Sequence, residues 1–215
     1  MSEPLRYYST NRHLDGVPGI TPFRETVPFR EALLMGQAPD EGLFMPETIP
    51  CLPADTLGSL KGAPYTEAAL LVAKAFLAGE IEEERLRQIV RDAYNFDVPL
   101  ENVFARKYLM RLDQGPTASF KDFAARLMAR LMGALRDPGK RLNVLVATSG
   151  DTGSAVGEAY KGVEGIDVTI LYPRNEVSGR QKTQLDTIGQ NVRAVSVDGK
   201  FDDCQDLVKQ AFADA

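Results

Sequence analysis

The chain has 215 residues, of which 44% are hydrophobic and 26% charged, a composition typical of a globular protein with one large domain or two small ones. Its net charge of -5 argues against nucleic acid or an anionic membrane as a partner. A single histidine, His13, rules out multi-histidine metal sites, and the distant Cys51 and Cys204 form neither a CxxC pattern nor a disulfide framework.

The N-terminal stretch lacks the charged-then-apolar pattern of a signal peptide, and no apolar run reaches transmembrane length. We therefore expect a cytoplasmic protein without a membrane partner. A Ser-His-Asp triad or a Cys-His pair would need His13, which lies in a polar stretch typical of an exposed histidine. Catalysis would then depend on lysine, carboxylates, hydroxyls or a cofactor, and we expect no metal site.

Residues 1–98 contain many Pro and Gly residues and predict turns and helices. One helix, "PFREALLMG", ends at Gly36, and a second, "TEAALLVAKAFLAG", ends at Gly79. A third, "IEEERLRQIVRDAYNF", places an apolar face inwards and a run of solvated charges outwards. We therefore predict a mainly helical N-terminal domain that ends near residues 97 to 99.

From residue 104 onwards, strands and helices alternate along the chain. Strands are predicted at "RKYLMRL", "NVLVATS", "DVTILYP" and "VRAVSV", each followed by a helix. Such alternation with short connections is typical of right-handed βαβ units and of an open, mostly parallel sheet. Residues 99–215 thus predict an α/β domain with three α/β/α layers, whose ligands bind at the carboxyl ends of the strands.

The stretch "QGPTASFKDFAARLMARLM", residues 114 to 132, predicts a tight turn followed by an amphipathic helix. Its predicted apolar stripe consists of Phe120, Phe123, Ala124, Leu127, Met128, Leu131, Met132 and Leu135. Lys121 lies beside this stripe in the first turn, where the helix dipole disfavours a positive charge. A lysine that simply extends into solvent is the ordinary interpretation. The alternative is an amine kept neutral by the dipole and two Phe rings, ready to attack an aldehyde.

The loop "ATSGDTGSA" joins a predicted strand to a helix. Gly150 allows close approach of a ligand, free N–H groups at a helix start hold anions, and Ser149 and Thr152 add hydroxyl donors. A carboxylate suits this loop, and so would a small phosphate, although Asp151 would oppose a dianion. The ordinary alternative is a βα turn with Asp151 or Thr152 as the N-cap. The loop is neither a Walker A motif nor a G-x-G-x-x-G motif.

Two further loops follow predicted strands. In "YPRNEVSGRQ", Ser178 is a predicted N-cap and Arg174 and Arg180 are expected to be solvated, with an anion contact as the alternative. In "DGKFDDCQ", Asp202 or Asp203 is the predicted N-cap. Cys204 is expected to be a small buried residue.

Six motifs in order, "YYSTN", "EGLFMP", "GPTASFKDFAAR", "ATSGDTGSAV", "YPRNEVSGRQ" and "VDGKFDDCQDLVKQAF", span residues 7 to 212. Together they resemble the N-terminal half of the threonine synthase family, which uses pyridoxal phosphate and has the fold type II architecture of tryptophan synthase β. The resemblance implies that Lys121 binds the cofactor as a Schiff base and then moves protons at the substrate's α and β carbons.

The resemblance also implies roles for the loops. Asp151 would lie near the cofactor's 3-hydroxyl, where many relatives in the wider fold carry Asn. The implied substrate contacts are Thr148, Ser149, Gly150, Thr152, Arg174 and Ser178. "PRNEVSGRQ" departs from the family pattern "PxGKxSPLQ": Glu176 stands where many members have Lys, and Gly179 where many have Pro.

The implied reaction converts O-phospho-L-homoserine and water to L-threonine and phosphate, with pyridoxal phosphate as electron sink. Members of the family continue for about as long again, so the resemblance implies an absent C-terminal half that holds the cofactor's phosphate and pyridine nitrogen, in a monomer or homodimer.

Two alternatives to this function remain open. One is another lyase of the same fold, a phosphohomoserine lyase or a dehydratase; "YYSTN" and "EGLFMP" favour threonine synthase over it. The other is a folded but catalytically silent module.

Overall fold

The computed structural model describes residues 4–213, and the chain divides between Asp92 and Ala93 into two compact units. Within the described residues, no helix has the length and apolar character needed to cross a membrane. The elements from the N-terminus to the end of the first unit are β1 Arg6–Ser9, β2 Thr26–Pro28, α1 Phe29–Met35, β3 Phe44–Pro46, α2 Ala54–Ser59, α3 Tyr65–Leu77 and α4 Glu83–Ala93.

The first unit contains the three predicted helices and an antiparallel sheet with the strand order β2-β1-β3. Helix α1 ends before Gly36 as predicted, and α3 ends two residues before the predicted Gly79. The predicted inward face of α4 is confirmed at Ile89, Val90 and Ala93, which are buried. The three strands were not predicted, because segments of three or four residues are too short for a period of two to stand out.

Asp40 connects the loops of this unit. It is buried, and its carboxylate accepts hydrogen bonds from Ser9 Oγ (2.5 Å) and from the N–H groups of Phe23 (2.8 Å) and Gly42 (3.1 Å). Burial alone would raise the pKa of Asp40, but these hydrogen bonds outweigh burial and lower the pKa below its ordinary value. The buried charge is therefore fully hydrogen-bonded and organises the sheet.

The second unit begins with a hairpin and continues as an α/β structure. Its elements are β4 Leu100–Phe104, β5 Lys107–Met110, α5 Lys121–Leu135, β6 Leu142–Ala147, α6 Asp151–Tyr160, β7 Ile166–Pro173, α7 Gly179–Asp186, β8 Val192–Val197 and α8 Phe201–Ala213. Strands β6, β7 and β8 form a parallel sheet in that order. These strands and α5 to α8 were all predicted, to within two residues at most ends.

One face of β7 is fully buried. Ile166, Val168, Ile170 and Tyr172 pack against residues of α5, α6 and α7 in a single apolar cluster. Helix α8 packs against β6 and β7 but contributes no residue to that cluster, because it covers the opposite face of the sheet. The predicted three-layer α/β/α architecture is therefore confirmed.

The first predicted strand of the parallel sheet is placed elsewhere. "RKYLMRL" forms β5, but it pairs antiparallel with β4 in a separate two-stranded sheet, and every residue of both strands is exposed. A strand-like pattern indicates extended backbone without indicating its partner. Three of the four strands predicted for the parallel sheet are confirmed, and the prediction was wrong for β5.

The apolar stripe predicted for α5 is displaced around the helix. Phe120, Ala124 and Met128 are exposed, with 61% of the Phe120 surface accessible. The buried positions are Asp122, Ala125, Arg126, Ala129, Leu131 and Leu135. The error arises because a hydrophobic period assigns Asp122 and Arg126 to the solvent, whereas both are buried among hydrogen-bond partners.

Candidate active site

A tight turn precedes α5, and Asp122 holds it from inside the helix. The Asp122 carboxylate accepts hydrogen bonds from the N–H (2.9 Å) and the hydroxyl (2.7 Å) of Thr117. The side chain also lies directly on Gly115, where a Cβ would overlap the carboxylate. The predicted turn at "GPT" is confirmed, and its rigidity comes from a buried acid next to Lys121 in the sequence.

Lys121 is the first residue of α5 and is half-buried, as its predicted place in the first turn requires. Its N–H lies 3.3 Å from the Ser119 hydroxyl oxygen, and Ala118 just before it adopts the left-handed region with φ 57°. Such a conformation in a residue with a Cβ is uncommon and costs free energy, so the surrounding turn must impose it.

The surroundings of the Lys121 amine differ in part from the prediction. Lys121 Nζ lies over the exposed Phe120 ring, 4.4 Å from its centroid, and a ring face stabilises a cation. The predicted neutral form of the amine stays a prediction. Among residues 4–213, no carboxylate forms an ion pair with Lys121. Within the described residues, the amine is therefore not committed to a structural salt bridge.

Arg126 fixes α5 one turn further along. Its buried guanidinium donates to the carbonyl of Ala93 (2.7 Å) and to Asn95 Oδ1 (2.7 Å) and lies near the Phe96 ring. Ala93 is the last residue of α4, and Asn95 belongs to the segment that follows it. Asp122 and Arg126 thus set the axial position of α5, and with it the position of Lys121.

The start of α6 is held by Thr148, at the end of β6. The buried Thr148 hydroxyl accepts hydrogen bonds from the N–H groups of Gly150 (3.0 Å) and Gly153 (2.9 Å). The N-cap residue is Gly150, with φ 141°, and it has no side chain to act as a cap. The predicted N-caps, Asp151 and Thr152, are wrong, because both lie inside the helix and a hydroxyl from the strand performs the capping.

This arrangement leaves donors at the helix start. Within the part of the chain that the structure describes, the N–H groups of Asp151 and Thr152 have no acceptor. Ser149 and the Asp151 side chain are exposed, and Thr152 is half-buried. Two free N–H groups and two hydroxyls at the positive end of a ten-residue helix form a site suited to a carboxylate.

Helix α7 begins with an ordinary capping box. The Ser178 Oγ accepts from the Gln181 N–H (3.3 Å), and the Gln181 carboxamide oxygen accepts from the Ser178 N–H (3.0 Å). The predicted N-cap Ser178 is therefore confirmed. The Gln181 carboxamide nitrogen also donates to Asp151 Oδ1 at 2.8 Å, which connects this helix start to the loop before α6.

The structure brings four of the predicted site residues together through hydrogen bonds at two helix starts. Thr148 accepts from Gly150, and Gln181 joins Ser178 to Asp151, whereas Ser149 is only a chain neighbour of these residues. Thr152 follows in α6. Lys121 and Arg174 stand outside this group: no hydrogen bond among the described residues joins their side chains to it. The Arg174 N–H donates to the Val197 carbonyl, and its side chain is exposed.

Other reactive side chains lie in structural surroundings. Cys204 is buried, and burial raises the pKa of its thiol, with Asp203 and Glu176 adding to the effect. Asp202 and Asp203 lie within the first turn of α8, so neither is its N-cap; Asp203 accepts from the Lys200 N–H (2.6 Å). Among residues 4–213, no cluster of three His, Cys, Asp or Glu side chains has the spacing of a metal site.

Comparisons with known proteins show what the chain is similar to. The family model "Pyridoxal-phosphate dependent enzyme" matches residues 98–215, and "Threonine synthase N terminus" matches residues 6–94. The threonine synthase of Haemophilus influenzae is 43% identical over 190 residues, which cover 88% of this chain and 44% of that protein. The threonine synthase of Escherichia coli is 38% identical over a similar length.

Solved structures give the same result. The structure described as PLP-bound threonine synthase from Brucella melitensis matches with a TM-score of 0.85 and 38% identity, over 98% of this chain and 45% of that one. The yeast threonine synthase matches with a TM-score of 0.80 and 32% identity, over 98% of this chain and 44% of that one. The chain therefore spans less than half the length of the relatives it matches.

Proposed function

The chain belongs to the pyridoxal-phosphate-dependent enzyme family, and from this premise we propose that it carries the lysine-bearing part of a threonine synthase. The proposed reaction is the conversion of O-phospho-L-homoserine and water to L-threonine and phosphate, a carbon–oxygen lyase reaction on a phosphate ester. We also propose the predicted division into residues 1–98 and residues 99–215, and the predicted cytoplasmic location.

One observation supports the assignment most directly. Lys121 is a half-buried lysine without an acidic partner among the described residues, at the end of a turn that the buried Asp122 holds in place. A lysine positioned in this way suits covalent bonding to a carbonyl group, and a flexible surface lysine needs no such support. The second unit, which contains it, matches the family over its whole length from residue 98.

The residues present fit pyridoxal phosphate at its reactive end. Lys121 would hold the aldehyde carbon, and Asp151 would lie beside the ring hydroxyl. Pyridoxal phosphate, when bound, supplies an electron sink for bond cleavage at the carbons next to the substrate's amine. No described residue is proposed to bind the phosphate group or the ring nitrogen of the cofactor.

The remaining roles follow from the chain's own side chains. The free N–H groups of Asp151 and Thr152, with the Ser149 hydroxyl, would bind and orient the substrate's carboxylate. The Lys121 amine, once substrate has taken its place, would move protons at the α and β carbons. Thr148 and Gly150 would shape this loop, and Arg174 and Ser178 would contact the substrate from the next loop.

We propose that the protein's activity also needs a polypeptide equivalent to the C-terminal half of its relatives. The chain covers 44% of the Haemophilus influenzae protein, and the exposed hairpin β4–β5 carries apolar side chains, including Val103, Phe104 and Tyr108, that the described residues leave uncovered. A two-stranded sheet with both faces in water is marginally stable alone, so a covering segment would stabilise it.

The test uses the longest natural form of the protein with added pyridoxal phosphate. We expect a cofactor absorbance that changes on borohydride reduction, and a pyridoxyl group on Lys121 by mass spectrometry. Pyridoxyl on any other lysine would show that the site is wrongly assigned.

Product analysis then separates the alternatives. Threonine and phosphate from O-phosphohomoserine support the proposal, whereas a 2-oxo acid with ammonia indicates a lyase or dehydratase of the same fold. Absence of stoichiometric cofactor binding indicates the silent module. Lys121→Ala should remove the covalent product without unfolding the protein, because the substitution removes a charge that opposes the helix dipole. Lys140→Ala, at an exposed position, is the matched control.

A further inference from the structure

Gln181 touches both loops of the candidate site. Its carboxamide oxygen accepts from the Ser178 N–H (3.0 Å), and its nitrogen donates to Asp151 Oδ1 (2.8 Å). We propose that Gln181 is a positioning residue that ties residues 149–152 to the start of α7 and holds the Asp151 carboxylate in a fixed direction. The role assigned to those residues rests on the proposed function, whereas the contact itself is a property of the fold.

The orientation of the carboxamide follows from its two different ends. A Gln side chain offers an acceptor oxygen and a donor nitrogen, whereas an ionised Glu offers acceptors only. The capping box uses the oxygen, because the Ser178 N–H is a donor. The nitrogen must then face the other neighbour, and an ionised Asp151 is an acceptor that complements it. Glu would cap α7 equally well, so the donor toward Asp151 is what requires Gln at this position.

Packing makes the contact rigid. Gly150 has φ 141°, and a Cβ there would overlap the Gln181 amide nitrogen. The backbone of the loop therefore lies directly against the carboxamide on one side. On the other side the Thr148 hydroxyl holds the N–H groups of Gly150 and Gly153. The loop is fixed between two side chains, one from β6 and one from α7.

The Gln181 carboxamide joins two loops that could bind a ligand. One is residues 149–152, with the free N–H groups, and the other is the loop with Arg174 and Ser178. A shift of the α7 start therefore changes the direction of the Asp151 carboxylate and of the N–H groups beside it. Gln181 would couple the substrate's carboxylate site to contacts made by the second loop.

The test is Gln181→Glu in the longest natural form of the protein, measured by hydrogen exchange of the peptide covering residues 148–154, without added cofactor. At about pH 8 the introduced carboxylate faces that of Asp151. We expect the amide hydrogens of this peptide to exchange roughly tenfold faster than in the wild type at the same pH. Like charges raise the apparent pKa of such a pair, so a shared proton forms as the pH falls. The difference from wild type should therefore shrink toward about pH 5.

A reversed pair provides the decisive control. In the double variant Asp151→Asn with Gln181→Glu, the Asn amide donates to the Glu carboxylate, and exchange should return to within about twofold of wild type at both pH values. Gln184→Glu adds the same charge at an exposed position of the same helix and should leave the loop unchanged. A purely structural effect on α7 would be independent of pH and would not be rescued at residue 151.

Three results would each overturn the proposal. They are exchange at the wild-type rate in Gln181→Glu, failure of the double variant to restore the wild-type rate, and an equal increase in Gln184→Glu. The same variants bound to pyridoxal phosphate give a second readout, since Gln181→Glu should weaken cofactor binding more at about pH 8 than at about pH 5. If the wild-type protein makes no threonine, the proposed function fails, whereas the exchange results still decide the role of Gln181.

Discussion

Helices α6 and α7 both follow strands of the parallel sheet, but they begin in different ways. At α7 a serine occupies the N-cap and a glutamine three residues later completes a capping box, all within four consecutive residues. At α6 the N-cap is a glycine, and the capping oxygen comes from Thr148 in the preceding strand. Helix α5, which begins at Lys121, resembles α6: its N-cap residue Phe120 has no capping side chain.

The two helix starts differ in which residue supplies the capping oxygen. At α7 the side chain of the N-cap residue Ser178 accepts from the third N–H group of the helix. At α6 the third N–H group donates to Thr148, two residues before the N-cap, so no N-cap side chain lies beside the free N–H groups of Asp151 and Thr152. At α5 the preceding turn is held by Asp122 from inside the helix, next to Lys121. Side chains outside the N-cap position thus support both parts of the candidate site.

The largest expected effect is on the start of α5. Asp122→Ala removes the acceptor of both Thr117 hydrogen bonds and leaves those donors in a half-buried turn, so unfolding free energy should fall by about 3 kcal/mol. Denaturant unfolding of the longest natural form measures the change. Asp202→Ala, an exposed acid in the first turn of α8, is the control and should change stability by less than about 0.5 kcal/mol. Similar losses in the two variants would contradict the role of Asp122.

A smaller effect is expected at the start of α6. Thr148→Val keeps the shape of the side chain but leaves the N–H groups of Gly150 and Gly153 without their acceptor, at a cost of about 2 kcal/mol. Hydrogen exchange at Gly153 should accelerate together with the loss of stability. Thr169→Val in the neighbouring strand β7 is the matched control, because its hydroxyl has no hydrogen-bond partner among the described residues. An unchanged exchange rate at Gly153 in Thr148→Val would contradict the role of the Thr148 hydroxyl at the start of α6.

The smallest effect is expected at α7. Ser178→Ala removes an ordinary N-cap and should cost about 1 kcal/mol, whereas Ser178→Gly should cost only a few tenths. Thermal unfolding of both variants measures the difference. A loss for Ser178→Ala as large as that for Thr148→Val would show that the two helix starts do not differ in the way described.

The sequence was sufficient for features that depend on neighbouring residues. The N-cap Ser178 of α7, the strands β6 to β8 and the place of Lys121 in the first turn were all predicted from local patterns. Features that depend on distant partners were not: the antiparallel pairing of β5 with β4, the burial of Asp122 and Arg126, and the capping by Thr148. A polar residue on a helix has the same sequence signal whether water or a buried partner satisfies it.

For Asp122 and Gln181 a weak signal was present. Asp122 follows a Gly-Pro-Thr turn at a distance that allows a carboxylate in the first helical turn to reach back to it. Gln181 stands three residues after Ser178, which is the spacing of a capping box. Neither spacing indicates the second contact, to Gly115 or to Asp151, because those depend on how the turns and helices pack.

The hairpin β4–β5 has a practical consequence for work with this polypeptide. Among residues 4–213, each of its strands has a partner strand on one side only, beside exposed Leu, Val and Phe side chains, and such edges recruit strands from other molecules. Preparations should form intermolecular β-sheet aggregates as concentration rises. Substituting Val103 or Leu109 by lysine should delay that aggregation, because a charge on an edge strand opposes pairing with a second chain.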